Sequence, residues 1–171
     1  MKQIIGNRYI KTFKFASSQE ASVFLSNQGT KNILSFDETF GDNYFCYVCC
    51  HSLTSEKQFV LSFSSDESED KLFLLFWDEQ KILVLDTGKC IYMIDDRLTI
   101  IASFDITTPL IGLFLISKNS LLLLEEASLK LVNSQGEILK NEIFDLIEGF
   151  NIENGQLFIE TSEERKIFEL T

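Results

Sequence analysis

Proline occurs once and glycine eight times in 171 residues, which excludes collagen-like and proline-rich extended architectures. Histidine also occurs once, at His51, so a catalytic triad or a histidine-rich metal site must use that residue or do without it. No stretch approaches the roughly 18 consecutive apolar residues that a membrane-spanning helix needs. Apolar runs such as residues 82–85 and 121–124 are strand-sized, and so are the longest, residues 44–50 and 72–77. The opening residues Met1-Lys2-Gln3-Ile4-Ile5-Gly6-Asn7-Arg8 hold no apolar segment of the signal-peptide kind, and the expectation is a cytoplasmic protein. The sequence also lacks a Gly-x-Ser-x-Gly elbow, a phosphate-binding Gly-Lys-Ser/Thr loop, a dinucleotide fingerprint and a His-Glu-x-x-His pair. The expectation from these absences is a non-enzymatic protein without a cofactor. A carboxylate pair of the glycosidase kind meets only in the folded chain, so a carbohydrate or small-ligand β-protein stays open as an alternative.

Apolar residues are plentiful. Hydrophobic residues make up 45% of the chain and phenylalanine occurs 16 times, enough for one folded domain over residues 1–171. Cations are scarce, 15 against 26 anions, for a net charge of −11. Residues 1–31 carry five cations and one anion, which leaves the rest with ten cations and 25 anions. Such a body repels nucleic acid and anionic membranes and attracts a basic protein partner.

Helical periodicity is almost absent. Short apolar segments at 72–77, 82–85, 90–94, 98–104, 111–116, 121–124, 129–132, 137–144, 157–160 and 166–170 are separated by turn residues such as Thr87-Gly88, Ser134-Gln135-Gly136 and Asn154-Gly155. That spacing predicts an all-β fold of antiparallel hairpins. Residues 8–15, 44–50 and 58–63 read as further strands. At 17–27, Ser17-Ser18-Gln19-Glu20 has the pattern of a helix N-terminus, yet Ser22 to Leu25 fits a strand, which is the reading taken here.

The strands repeat. Ile82-Leu83-Val84-Leu85-Asp86 matches Leu121-Leu122-Leu123-Leu124-Glu125, and Ile91-Tyr92-Met93-Ile94-Asp95 matches Leu129-Lys130-Leu131-Val132-Asn133. Phe104-Asp105 likewise matches Phe144-Asp145, and a third copy begins at Ile152. A unit of about 40 residues with four short strands resembles the blade of a β-propeller. The resemblance covers residues 72–171 and implies a propeller-like or partial-propeller architecture, with a β-sandwich as the alternative. The single Trp77-Asp78 lacks the Gly-His partner of WD repeats and is set aside.

Candidate sites are few. Cys46-Tyr47-Val48-Cys49-Cys50-His51 has the residue types of a zinc site. However, Cys46 and Cys49 would face opposite sides of a strand, and only Cys90 is left elsewhere, so reduced thiols without metal are expected. Asp66-Glu67-Ser68-Glu69-Asp70 begins like a calcium loop but has Lys71 and Trp77 where glycine and glutamate are required. As a contact patch, Asp66, Glu67, Glu69 and Asp70 are the first choice for meeting a basic partner, with Asp95, Asp96, Glu125 and Glu126 next. In general character the chain resembles bacterial toxin-immunity proteins, which implies capture of a basic, nuclease-type toxin. A β-repeat scaffold or adaptor subunit of a larger complex is the alternative.

Overall fold

A computed structural model of the protein describes residues 2–5, 8–36, 41–50 and 58–170. The chain forms two compact units, Met1–Leu72 with Asp86–Lys89, and Phe73–Leu85 with Cys90–Thr171.

The first unit is a five-stranded sheet with one helix against it. Strands β1 (Lys2–Ile5), β2 (Arg8–Phe15), β3 (Ile33–Ser35), β4 (Asn43–Cys50) and β5 (Gln58–Ser65) lie in the order β1-β2-β4-β5-β3. Among the described residues, β3–β5 is the one parallel pairing in this sheet. Residues expected to form a strand near 22–25 instead belong to α1 (Ser18–Ser26). The Ser17 side chain accepts the Glu20 N–H at 3.2 Å, and the Glu20 carboxylate accepts the Ala16 N–H at 3.1 Å. This reciprocal capping satisfies donors that a strand would leave to chance. The helix then seats Phe24 against Phe13 and Phe15, with ring centroids 4.4 and 5.1 Å apart, and buries Ala21 beside Cys46, Val48 and Val60. On the opposite face of the sheet, Phe45, Tyr47 and Phe63 form a ring cluster.

The second unit contains three sheets built on one plan. The first comprises β6 (Leu74–Trp77), β7 (Ile82–Asp86), β8 (Cys90–Ile94) and β9 (Ile100–Asp105). The second comprises β10 (Leu110–Ser117), β11 (Ser120–Glu125), β12 (Ser128–Asn133) and β13 (Ile138–Ile143). The third holds β14 (Ile147–Glu153), β15 (Gln156–Thr161) and β16 (Arg165–Glu169). In each sheet, strands neighbouring in sequence are neighbours in space, as short turns require. The third repeat starts at Ile147 rather than Ile152, because β14 is interrupted by Glu148, Gly149 and Asn151 and shows no clean alternation.

Stacking explains the apolar runs. Along β11, alternate side chains point to opposite faces. Leu121 and Leu123 join Trp77, Ile82, Val84, Ile91 and Met93 of the first sheet. Leu122 and Leu124 join Leu157, Ile159 and Phe168 of the third. A strand covered on both sides carries no polar alternation, so all six residues of β11 are buried. Trp77 is fully buried, and its indole N–H donates to the Lys118 carbonyl at 3.1 Å. The turn from Asn133 to Glu137 packs onto the first sheet. Gly136 has φ +80°, and a Cβ there would lie 2.2 Å from that of Ala102, so both the backbone conformation and the space call for glycine.

Candidate functional site

The acidic residues singled out from the sequence fall into different surroundings. Asp66 to Asp70 follow β5 in the first unit. Asp66 is exposed, accepts the Asp42 N–H at 3.3 Å and lies 3.5 Å from the Lys89 ammonium. Glu67 is half-buried and sits 3.4 Å from Lys71, four residues on. Glu69 begins a single 3-10 turn to Lys71, and Asp70 is exposed. The Ser68 hydroxyl, then the Asp70 backbone N–H, hold the Asp70 carboxyl below its ordinary value. The cluster is therefore partly neutralised by neighbouring lysines and tied by local hydrogen bonds. Neutralising Asp66, Glu67, Glu69 and Asp70 together should leave the melting temperature nearly unchanged, since exposed ion pairs contribute about 0–1 kcal/mol each. If these residues form the docking surface, stopped-flow association with an identified partner should slow and lose salt dependence. An unchanged rate and salt slope would remove the loop from consideration.

The second group sits in the other unit. Asp95 is half-buried and closes its own turn, its carboxylate accepting the N–H groups of Arg97 and Thr99 at 2.9 and 2.7 Å. Asp96 is exposed. Glu126 is half-buried, with its N–H on the Pro109 carbonyl and its carbonyl taking the Ile147 N–H. Trp77 and Gln80, at the end of β6, both bond the Lys118 carbonyl at the end of β10, so the first turns of the two sheets adjoin. The 125–127 turn comes one strand later and the 95–98 turn two strands later. These two acidic turns therefore close opposite ends of their sheets.

Glu125 is not a surface residue. Its side chain is 1% exposed and is paired with Lys130, whose side chain is 15% exposed. The other carboxylate oxygen accepts the Thr107 N–H and hydroxyl at 2.8 and 2.9 Å and the Thr108 N–H at 3.1 Å. Burial pushes the Glu125 carboxyl upward, but Lys130, Thr108 and Thr107 outweigh it and leave it below its usual range. Both partners share the face of the second sheet that carries Leu121 and Leu123. There they pin the connection that enters β10 from the first sheet. Alternation along β12 and the stacked sheet leave the Lys130 side chain largely buried.

Of the cysteines, Cys46 and Cys49 are buried, whereas Cys50 and Cys90, at strand ends, are only half-buried. Cys46 faces the helix cluster, and Cys49 alternates to the other side. Burial raises the Cys46 thiol above its ordinary value despite the Ser62 hydroxyl 3.6 Å away, which makes it a poor nucleophile. His51 lies outside the described residues. Among the described residues, no group of three or more His, Cys, Asp or Glu could hold a metal ion.

A recess of about 530 Å³ opens beside α1 in the first unit, lined by the hydroxyl residues Ser18, Ser22, Ser35, Ser62 and Ser64 together with apolar side chains. Among the described residues that line it, none is a carboxylate, histidine or cysteine. No helix of the described residues is long and apolar enough to cross a membrane.

Hydrophobic patterning alone did not reveal the apolar side chains left in solvent by the second unit. Ile143 is 77% exposed and Leu146 60%, with Ile138 and Leu139 each more than half exposed, all on β13 or the turn after it. β13 is an outer strand of its sheet, and among the described residues one of its backbone edges has no neighbour in that sheet. Glu137, Asp145 and Glu148 are exposed beside these residues in sequence.

No family model and no curated protein sequence matches the chain. Solved structures do resemble it. The structure of BamB from Moraxella catarrhalis superposes with a TM-score of 0.53 at 10% identity, over 81% of this chain and 50% of BamB. The Neurospora crassa Pan2 WD40 domain is similar over 72% of this chain and 45% of its own length, at 16% identity and TM-score 0.44. The N-terminal domain of Nup159 is similar over 73% and 40%, at 15% identity and TM-score 0.43. The chain thus spans about half the length of these structures. Its strand order, stacked sheets and likeness to BamB show an all-β, propeller-like fold.

Proposed function

We propose that the protein is a non-enzymatic protein-interaction module, a β-repeat scaffold that docks a partner on the outer strand of its second sheet. The observation that carries this reading is the exposure of Ile138, Leu139, Ile143 and Leu146, four apolar side chains gathered within residues 138–146 on β13 and the turn after it. Apolar side chains along a free strand edge invite association, and proteins ordinarily blunt such edges with charge. Glu137, Asp145 and Glu148 around them favour a partner that carries lysine or arginine around an apolar centre. A basic nuclease-type toxin is one such partner, but neither the fold nor the structural likenesses favour it over other basic proteins, and the scaffold reading takes its place.

The test is the paired substitution Ile143→Glu and Leu146→Glu. Exposed positions of this kind change stability by about 0.5 kcal/mol or less, so the variant should fold normally. Quantitative capture from native cells should show one or a few proteins held by the wild type and lost by the variant. Identical partner sets for the two proteins would exclude this surface. Turnover of a defined substrate by the purified protein would overturn the non-enzymatic reading.

A further inference from the structure

The two four-stranded sheets of the second unit repeat one hairpin in detail. In the turn from Asp95 to Thr99, the Asp95 carboxylate accepts the N–H groups of Arg97 and Thr99. In the turn from Asn133 to Glu137, the Asn133 side-chain carbonyl accepts those of Gln135 and Glu137. The fourth residue of each turn, Leu98 or Gly136, takes a positive φ, 64° or 80°. Past each turn the fourth strand carries a bulge. Ile100 stands opposite Ile94 and Ala102 opposite Met93, which leaves Ile101 as the extra residue of β9. Ile138 stands opposite Val132 and Lys140 opposite Leu131, which leaves Leu139 as the extra residue of β13. The doubled position is aliphatic both times, and Ile100, Ile101, Ile138 and Leu139 are all exposed.

The two aliphatic pairs belong to one surface. Ala102 leaves no room for a Cβ on Gly136, so the turn that leads into Ile138 rests on β9 beside Ile101. Stacked sheets lie about 10 Å apart, matching the rise of seven residues of an α-helix. A bulge bends its strand and interrupts the ladder, so the outer edge at these positions is a poor template for an added strand. Side chains rather than backbone are left for a partner to meet. The exposed charges on the two hairpins are Asp96, Asp105, Glu137 and Asp145 against Arg97, while Lys140 is half-buried over the Phe168 ring.

We propose that the two bulges seat an amphipathic helix of a partner protein, laid across the outer strands of the first and second sheets. Its apolar residues at i and i+3 or i+4 meet one aliphatic pair, and the residue at i+7 meets the other. Lysine or arginine beside them faces the carboxylates of the hairpins. This rests on the β13 surface proposed above and extends it, adding β9 and making the contacting element of the partner a basic helix.

The probe is a synthetic side-chain-locked helical peptide of about 14 residues, four turns, titrated into the full chain. It carries leucine at i, i+3, i+4 and i+7 with lysine and alanine elsewhere. Saturable one-to-one binding is expected. An isomer with its leucines at alternate positions should bind at least about tenfold more weakly, because it has no apolar helix face. Ile101→Lys and Leu139→Lys should each weaken binding by about tenfold, the scale of one aliphatic side chain withdrawn from water. If Ile101→Lys impairs folding, Ile100→Lys replaces it. Photo-crosslinkers at i and i+7 of the peptide should map to different hairpins, one to 97–101 and the other to 137–141. The inference is overturned by absent binding, by equal binding of the alternating isomer, by unchanged affinity of Ile101→Lys, or by both crosslinkers mapping to one hairpin. Self-association of the chain abolished by Ile101→Lys would assign the surface to a second copy. Binding to neutral phosphatidylcholine vesicles abolished by the same change would assign it to a membrane. Either result also overturns the inference. A partner lost by the variant carrying Ile143→Glu and Leu146→Glu but kept by Ile101→Lys would leave the β13 surface standing and overturn the helix seat.

Discussion

Replacing Glu125 with alanine is expected to destabilise the protein by about 3–5 kcal/mol, among the largest single-residue effects in the molecule. The substitution leaves the ammonium of Lys130, whose side chain is 15% exposed, without its counter-charge, and it leaves the N–H groups of Thr107 and Thr108 without their acceptor. A buried cation without a partner costs far more than a buried pair contributes. The contrast that isolates this cause is the double substitution Glu125→Gln with Lys130→Met, which removes both charges and keeps an acceptor near the threonines. It should recover most of the loss in urea unfolding. The pH dependence has a defined sign. The Glu125 carboxyl is held below its ordinary value in the folded protein, so its contribution is present above the unfolded carboxylate range of about 4.3. It is lost as pH falls through the folded value, because the unfolded chain then binds the proton more readily. The wild type should therefore lose stability below about pH 4 more steeply than Glu125→Gln. Parallel pH curves for the two proteins would show that the carboxylate is not engaged as described.

The second large effect is expected at Leu124. Its side chain is fully buried between the second and third sheets, in a cluster with Leu122, Leu129, Leu157 and Phe168. Leu124→Ala should cost about 2–5 kcal/mol, combining the lost transfer energy with a cavity that two packed sheets cannot readily collapse. Leu139→Ala, fifteen residues later and 56% exposed, should fall within about 0.5 kcal/mol of the wild type. Chemical denaturation of both variants decides the matter. Similar losses at the two sites would contradict the stacking of the sheets.

Much of the second unit was legible because its determinants are local. The turn at Asn133 shows this: its side-chain carbonyl accepts the N–H groups of Gln135 and Glu137 at 3.0 and 2.9 Å, and Gly136 takes the positive φ. The hydrogen bonds and the positive φ of that turn all lie within five residues. α1 was misread because the strand-like run from Ser22 to Leu25 is just as local, and only the docking of Phe24 on Phe13 and Phe15 separates the alternatives. β14 was passed over because Glu148, Gly149 and Asn151 break the alternation by which a strand is recognised.

The candidate sites were less legible for the same reason. Asp66 to Asp70 form a visible cluster in sequence, but the proximity of Lys89 to Asp66 comes from chain reversal 23 residues away. Exposure of Ile143 and Leu146 follows from the position of β13 at the edge of its sheet, which hydrophobicity does not encode, since Leu121 and Leu139 are the same residue type in opposite surroundings.

The sequence by itself determined the all-β class, the repeat and most strand and turn positions from residue 72 onward, β14 excepted, because alternation and turn chemistry act over a few neighbouring residues. Tertiary structure alone decided that Glu125 is buried rather than displayed, since its partners Thr107 and Thr108 are 18 and 17 residues away. It alone decided that both faces of β11 are covered, and that β13 lies at the edge of its sheet among the described residues. Burial and edge exposure depend on which sheet stacks on which, and that is set by contacts between distant segments rather than by any residue's own neighbours.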